Sequence, residues 1–133
     1  MRFTEEKFEP AVDILYTTDH FVAICVNVSD TGITAGADGR KIVPAGTVLG
    51  GILADLSKAA VKSVDEVKAS EGVTAVTEIK AEGVLYHDVD VSDGPAVGTM
   101  IVHGFIDEKR MPAAATTNQK AALNQIIFIG TKA

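Results

Sequence analysis

Short runs of β-branched and other apolar residues alternate along the chain with clusters of glycine, proline and polar residues. Each such run predicts a β-strand bounded by turn-forming residues. The runs lie at residues 21–28, 41–43, 47–49, 52–53, 84–91, 98–106 and 126–129. Residues 73–79 alternate between apolar and polar positions and predict one more strand. The pattern therefore predicts a mainly β fold (α+β), built of antiparallel strands.

Helical signals are confined to short segments. Asp55 can cap a short helix whose apolar residues recur at spacings of three and four, and Ser63 with Glu66 has the spacing of a capping box. Near the C-terminus, Thr116 with Gln119 has the same spacing and is followed by good helix formers. These signals predict one or two short helices.

The length of 133 residues fits a small single domain, since a second core would have little left to bury. We divide the chain into an extended N-terminal arm, residues 1–19, that ends in a short strand, and a β-rich domain, residues 20–133. Only 5% of the residues are aromatic and none is Trp. A core of small aliphatic side chains suits thin sheets better than a deep ligand cavity.

Apolar side chains of the arm come before the first clear strand and have no evident place in the core. They can fold back onto their own chain, or they can contact a neighbouring subunit by adding an edge strand or filling a groove. Both alternatives stay open at the level of sequence. The candidate partner-binding residues are Phe3, Phe8, Pro10, Ile14, Leu15 and Tyr16.

The charge of the chain argues against nucleic acid as a partner. The net charge is −6, the pI is near 4.9, and no Lys/Arg cluster supplies a local positive field. No apolar run reaches the roughly 20 residues that span a bilayer, and residues 1–6 lead into polar sequence, so we expect a cytoplasm-like compartment. The single cysteine, Cys25, lies in an apolar run and is predicted to be a buried core residue.

The residues with most potential for chemistry are His87, Asp88, Asp90 and His103. Alternation along a strand places the two carboxylates on one face and His87 on the other, so that only the two histidines could meet, across a hairpin. Polar side chains on an open sheet face are the simpler interpretation. The glycine-rich stretch 32–39 lacks a phosphate-loop signature. We expect no catalytic residue, no metal site and no cofactor.

Three segments resemble bacteriophage head decoration proteins of the lambda type: residues 41–50, 82–91 and 102–107. The ending, a short helix from Thr116 and a last strand at 126–129, is similar to that family's C-terminal layout. The resemblance implies a homotrimer at three-fold positions of the mature icosahedral head, whose arm reaches the major capsid protein. It also implies synthesis in the bacterial host cytoplasm and a final place on the outer surface of the virion.

The expected function is therefore that of a non-enzymatic virion structural protein. Its expected partners are the major capsid protein and further copies of itself, with no nucleic acid, membrane or small-molecule substrate. One alternative is a phage tail-tube or connector protein, which would form a ring of higher order. The other is a small metal-dependent, cupin-like β-barrel enzyme that would use His87 and His103.

Overall fold

The computed structural model describes residues 13–131. In this part of the chain, strands account for 39% of the structure and helices for 8%, which confirms the mainly β prediction. The elements in chain order are β1 (Val22–Val28), β2 (Ile42–Val43), β3 (Val48–Gly50), β4 (Ala59–Lys62), β5 (Ala81–Leu85), β6 (Val89–Asp90), β7 (Ala96–Asp107), a 3-10 helix (Glu108–Arg110), α1 (Thr117–Ala122) and β8 (Ile126–Ile129).

Five of the strands close into a barrel in the order β1, β4, β3, β5 and β7, because β7 also pairs with β1. Strand β8 extends the sheet beyond β7, and β2 and β6 form a small separate ribbon. Most pairs are antiparallel, as predicted, but β1 with β4 and β7 with β8 are parallel. The second parallel pair arises because the 3-10 helix and α1 carry the chain back to the level of Gly104, so that β8 runs in the same direction as the end of β7.

Two clusters of buried side chains form the core. One packs around Ile101, Ile106 and Met111, and the other around Leu85 and Met100. Both consist mostly of aliphatic side chains, as the composition suggests. Among residues 13–131, no helix is long and apolar enough to cross a bilayer.

The prediction of a buried Cys25 is wrong, because this thiol is exposed. Side chains alternate between the two faces of a strand, and Val26 and Val28 of β1 point into the core. Cys25, one residue before Val26, therefore points outward.

The two early helix predictions are also wrong, whereas the C-terminal one is confirmed. The Thr116 hydroxyl accepts from the Gln119 N–H, and the Gln119 side chain accepts from the Thr116 N–H, so both bonds of the capping box are present at the start of α1. Asp55 instead caps a turn, and the residues after it form β4. The Ser63 hydroxyl donates to a carbonyl across a hairpin. Pairing with other strands has overridden local helix propensity at both places.

Residues 73–79 do not form the predicted regular strand. They form one side of a projecting hairpin, residues 63–80, held by bridges three residues apart: Val64 with Ile79, Val67 with Val76, and Ser70 with Val73. Every residue from 66 to 78 is exposed. A continuous ladder would need paired residues at a spacing of two, and here it is interrupted.

Two further strand predictions are wrong in their extent. Residues 52–53 lie in a turn, where both backbone N–H groups donate to the Glu82 carboxylate, at 2.7 and 2.9 Å. The run 84–91 is divided between β5 and β6. The turn between them lets Asp88 reach the loop before β3.

Candidate functional site

The last residues of the predicted arm are anchored to the domain. We call residues 13–16 the arm root. Ile14 is 0% exposed and Leu15 is 3% exposed, and both belong to the core cluster around Ile106 and Met111. For these two side chains the structure favours the alternative in which the arm packs within its own chain. Tyr16 points outward and is 61% exposed.

Backbone hydrogen bonds hold the arm root against β7. The Asp107 N–H donates to the Ile14 carbonyl at 2.8 Å, and the Tyr16 N–H donates to the Phe105 carbonyl at 2.9 Å. The Arg110 guanidinium donates to the Asp13 carbonyl at 2.9 Å. This short bridge lies where the sequence predicts a strand at the end of the arm.

Three of the candidate partner-binding residues, Phe3, Phe8 and Pro10, lie outside the described residues. Their role stays a prediction. What the structure contributes is the fixed position of Asp13, the first described residue after them.

The three histidines are arranged differently from the sequence prediction. Val84 lies opposite Ile101 in the β5–β7 pair, so His103 is level with residue 82 and His87 with residue 98. The proposed meeting of His87 and His103 across a hairpin is therefore wrong. His103 instead contacts His20, with 2.9 Å between the two Nε2 atoms. His87 packs edge-on against its neighbour Tyr86, at 4.0 Å between ring centroids.

The His20 contact could not be found from local pattern, because His20 and His103 are 83 positions apart. It follows from the β1–β7 register, in which Val22 lies opposite His103. One Nε2 must donate and the other must accept, and the tautomers of the two rings decide which does so. Phe21, the residue after His20, stacks its ring on Tyr86, with 5.8 Å between the two ring centroids.

The two carboxylates Asp88 and Asp90 fix a loop. Asp88 accepts from the Ala45 N–H at 2.7 Å. Asp90 accepts from the hydroxyl and N–H of Ser92, and from the Arg40 guanidinium at 3.0 Å. Hydrogen bonds from Ser92, and then from Arg40, lower the pKa of Asp90 to about 2. Within residues 13–131, no group of three or more His, Cys, Asp or Glu side chains is placed to hold a metal ion.

One groove on the described part of the chain is open and mainly lined by aliphatic side chains. Its volume is about 640 Å³, and it lies between the start of β1, the start of β5 and the end of α1. Val22 and Leu53 on its walls are each 50% exposed. The Glu82 carboxylate in the groove is already bound to the backbone of residues 52–53.

Comparison of the chain with known proteins gives no match to a family model, to a curated protein or to a solved structure.

Proposed function

We propose that this chain is a structural protein of a tailed bacteriophage head, which binds the major capsid protein from outside and stabilises the mature head without catalysing a reaction. The virion and its capsid come into the proposal from the sequence resemblance of residues 41–50, 82–91 and 102–107. The single structural observation that supports a binding role is the anchoring of the arm root to the barrel.

A binding arm can clamp a partner only if its base is attached to a rigid body. Burial of Ile14 and Leu15 contributes about 2 kcal/mol each on transfer from water. The backbone bonds to β7 and the contact from Arg110 fix the direction in which the chain leaves the barrel. Force on residues before Asp13 is therefore passed to the barrel core.

One of the resembling segments packs directly on this root. Gly46 lies in the turn between β2 and β3, with a φ of 88°. A Cβ atom built there would lie 2.8 Å from the Pro112 side chain and 3.4 Å from the Ile14 side chain. The turn, the root and the segment after the 3-10 helix thus form one close-packed end of the barrel.

A homotrimer is part of the proposal. Several weak contacts presented together by one oligomer bind more tightly than each contact alone, because the later contacts form within a complex that already exists. This gives a small protein a stable hold on a repetitive capsid surface.

The test is co-sedimentation of the purified chain with undecorated heads. A chain that lacks residues 2–12 should keep the circular dichroism spectrum of the intact domain, because it retains the core contacts of Ile14 and Leu15, and it should lose binding to heads. Val97→Ala, a change at a side chain that is 68% exposed on β7, serves as the control and should bind like the unaltered chain.

Unchanged binding after the deletion would contradict the role given to the arm. Formation of rings of higher order, without binding to heads, would favour the tail-tube or connector alternative over a decoration protein.

A further inference from the structure

The contact between His20 and His103 brings two metal-ligating atoms together at the surface of the barrel. The two Nε2 atoms are 2.9 Å apart, and the contact is exposed to solvent. A neutral imidazole is the commonest metal ligand among side chains, and it binds an ion through one ring nitrogen. No third His, Cys, Asp or Glu of residues 13–131 joins the pair. The pair is therefore a candidate site with two protein ligands, in which water completes the coordination of an ion.

The backbone on both sides of the pair is held in place. His103 lies within β7, at the level where this strand pairs with the start of β1. His20 precedes β1, and the next residue, Phe21, stacks on Tyr86. A Cβ atom on Gly104 would lie 3.0 Å from the Cβ atom of Phe21, so the glycine lets this segment approach β7 closely. The two imidazoles thus start from a fixed backbone, which lowers the cost of ordering them around an ion.

Each ring presents its Nε2 atom at the contact. The Nδ1 atom of His103 is buried and has no hydrogen-bond partner among the described residues, so Nε2 is the nitrogen of this ring that an ion can reach from solvent. The planes of the two rings are 87° apart, so the rings do not stack. An ion would accept a lone pair from both Nε2 atoms, with the proton of each ring on Nδ1. Binding therefore replaces the hydrogen bond between the rings and releases no proton from a neutral pair.

The spacing of the two nitrogens selects among metal ions. Bonds from a metal to imidazole are about 2.0–2.1 Å long, so an ion bound to both Nε2 atoms at their present separation would have a bond angle of about 90°. Neighbouring ligands make this angle in square-planar and octahedral complexes, the first of which is typical of Cu²⁺ and Ni²⁺. Tetrahedral Zn²⁺ would need the two nitrogens about 3.3 Å apart. The geometry therefore fits Cu²⁺ or Ni²⁺ better than Zn²⁺.

We propose that His20 and His103 form a two-histidine site for a divalent transition metal ion with square-planar or octahedral coordination, Cu²⁺ or Ni²⁺. The bound ion joins the segment that follows the arm root to β7. The net charge of −6 favours the approach of a cation. The site goes beyond the proposed function, and it uses His20 in place of His87, the residue that the sequence pattern paired with His103.

The experiment is calorimetric titration of the full chain, made without a histidine tag, with NiCl₂ and separately with ZnCl₂. The unaltered chain should bind one Ni²⁺ ion, and should bind it more tightly than Zn²⁺. His20→Gln and His103→Gln should each lower the affinity for Ni²⁺ about tenfold or more, because the second ligand no longer binds within a complex that already exists. His87→Gln removes the third histidine of the chain and should bind Ni²⁺ like the unaltered protein.

A second control concerns the thiol. Cys25 is exposed, and a thiolate competes for transition metal ions. Cys25→Ser should keep the affinity for Ni²⁺. In this variant, electron paramagnetic resonance of bound Cu²⁺ should show two nitrogen ligands from imidazole, and the spectrum should lose at least one of them when His20→Gln is added.

The outcomes that would overturn the inference are distinct. Equal affinity for Ni²⁺ in the unaltered chain and in His20→Gln would show that the pair is only a hydrogen bond. Loss of binding in His87→Gln or Cys25→Ser would place the ion elsewhere, and tighter binding of Zn²⁺ than of Ni²⁺ would refute the assignment from geometry. Should His103→Gln fail to fold by circular dichroism, His20→Gln decides the test alone, since His20 is exposed. Binding to heads plays no part in these measurements, so the proposed function stands or falls separately.

Discussion

Adjacent glycines at the end of β3 give a sharp test of how the barrel closes. Gly50 pairs with Val61 of β4 on one side and with Ala81 of β5 on the other, where the register shifts. A Cβ atom on Gly50 would overlap the backbone carbonyl of Lys80. At Gly51 the space is open, but φ is 78°. The first glycine is needed for close approach, and the second for backbone conformation.

These causes predict different magnitudes. Gly51→Ala should cost about 1 kcal/mol, the typical penalty of the left-handed region for a residue with a Cβ atom. Gly50→Ala should cost about 3 kcal/mol or more, the upper end for an overpacked core, because the obstacle is the backbone of Lys80, which is held between the bridged Ile79 and Ala81 of β5. The extra 2 kcal/mol or so corresponds to a melting temperature lower by about 6 °C for a domain of this size.

Urea unfolding followed by circular dichroism measures both variants against the unaltered chain, with equal slopes required for the comparison. If Gly50→Ala is no less stable than Gly51→Ala, the close approach of β3 to Lys80 is not a constraint on the fold, and the reasoning is refuted.

Two further predictions concern charged groups. Lys120 Nζ lies 2.7 Å from Glu108 Oε2, at an angle unsuited to a hydrogen bond, and the Glu108 side chain is 2% exposed. Lys120→Met should lower the free energy of unfolding in urea by about 2–4 kcal/mol, because a buried carboxylate loses its ion-pair partner, and an unchanged value would show that water replaces the lysine. The pKa of Asp90 is lowered from 3.8 to about 2, so its ionised form stabilises the folded chain above pH 4, and that contribution disappears as the pH falls towards 2. Asp90→Asn should therefore flatten the dependence of stability on pH within this window, whereas an identical slope in urea titrations would contradict the role of Ser92 and Arg40.

Local signals predicted the elements whose hydrogen bonds or packing are themselves local. The capping box at Thr116 and Gln119 joins groups three residues apart, so the spacing of these two residues in the sequence is enough to predict its hydrogen bonds. The run 21–28 was recognised as β1 from its β-branched residues and its flanking turns. The sequence does not predict which side chains of β1 point into the core, because a continuous apolar run does not distinguish the positions of Cys25 and Val26.

Distant pairing decided the elements that were predicted wrongly. Ala59 and Ala60 are good helix formers, yet they pair with Asn27 and Val28 of β1 and close the barrel. A helix there would leave the edge of β1 without hydrogen bonds, a cost greater than the small propensity difference. The barrel order that makes this pairing available cannot be read from residues 55–60 alone.

The position of the arm root depends on the length of β7, a strand that is distant from the arm in the sequence. A buried pair such as Ile14 and Leu15 has the same sequence pattern whether it packs within its own chain or against a neighbouring subunit. The end of β7, residues 104–107, extends past β1 and has a free edge that the arm root fills through Leu15 and Tyr16. A partner therefore cannot take the side chains of Ile14 and Leu15 without opening the core. The contacts predicted for the arm are left to residues 1–12 and to Tyr16, and binding of the corresponding variants to heads tests them.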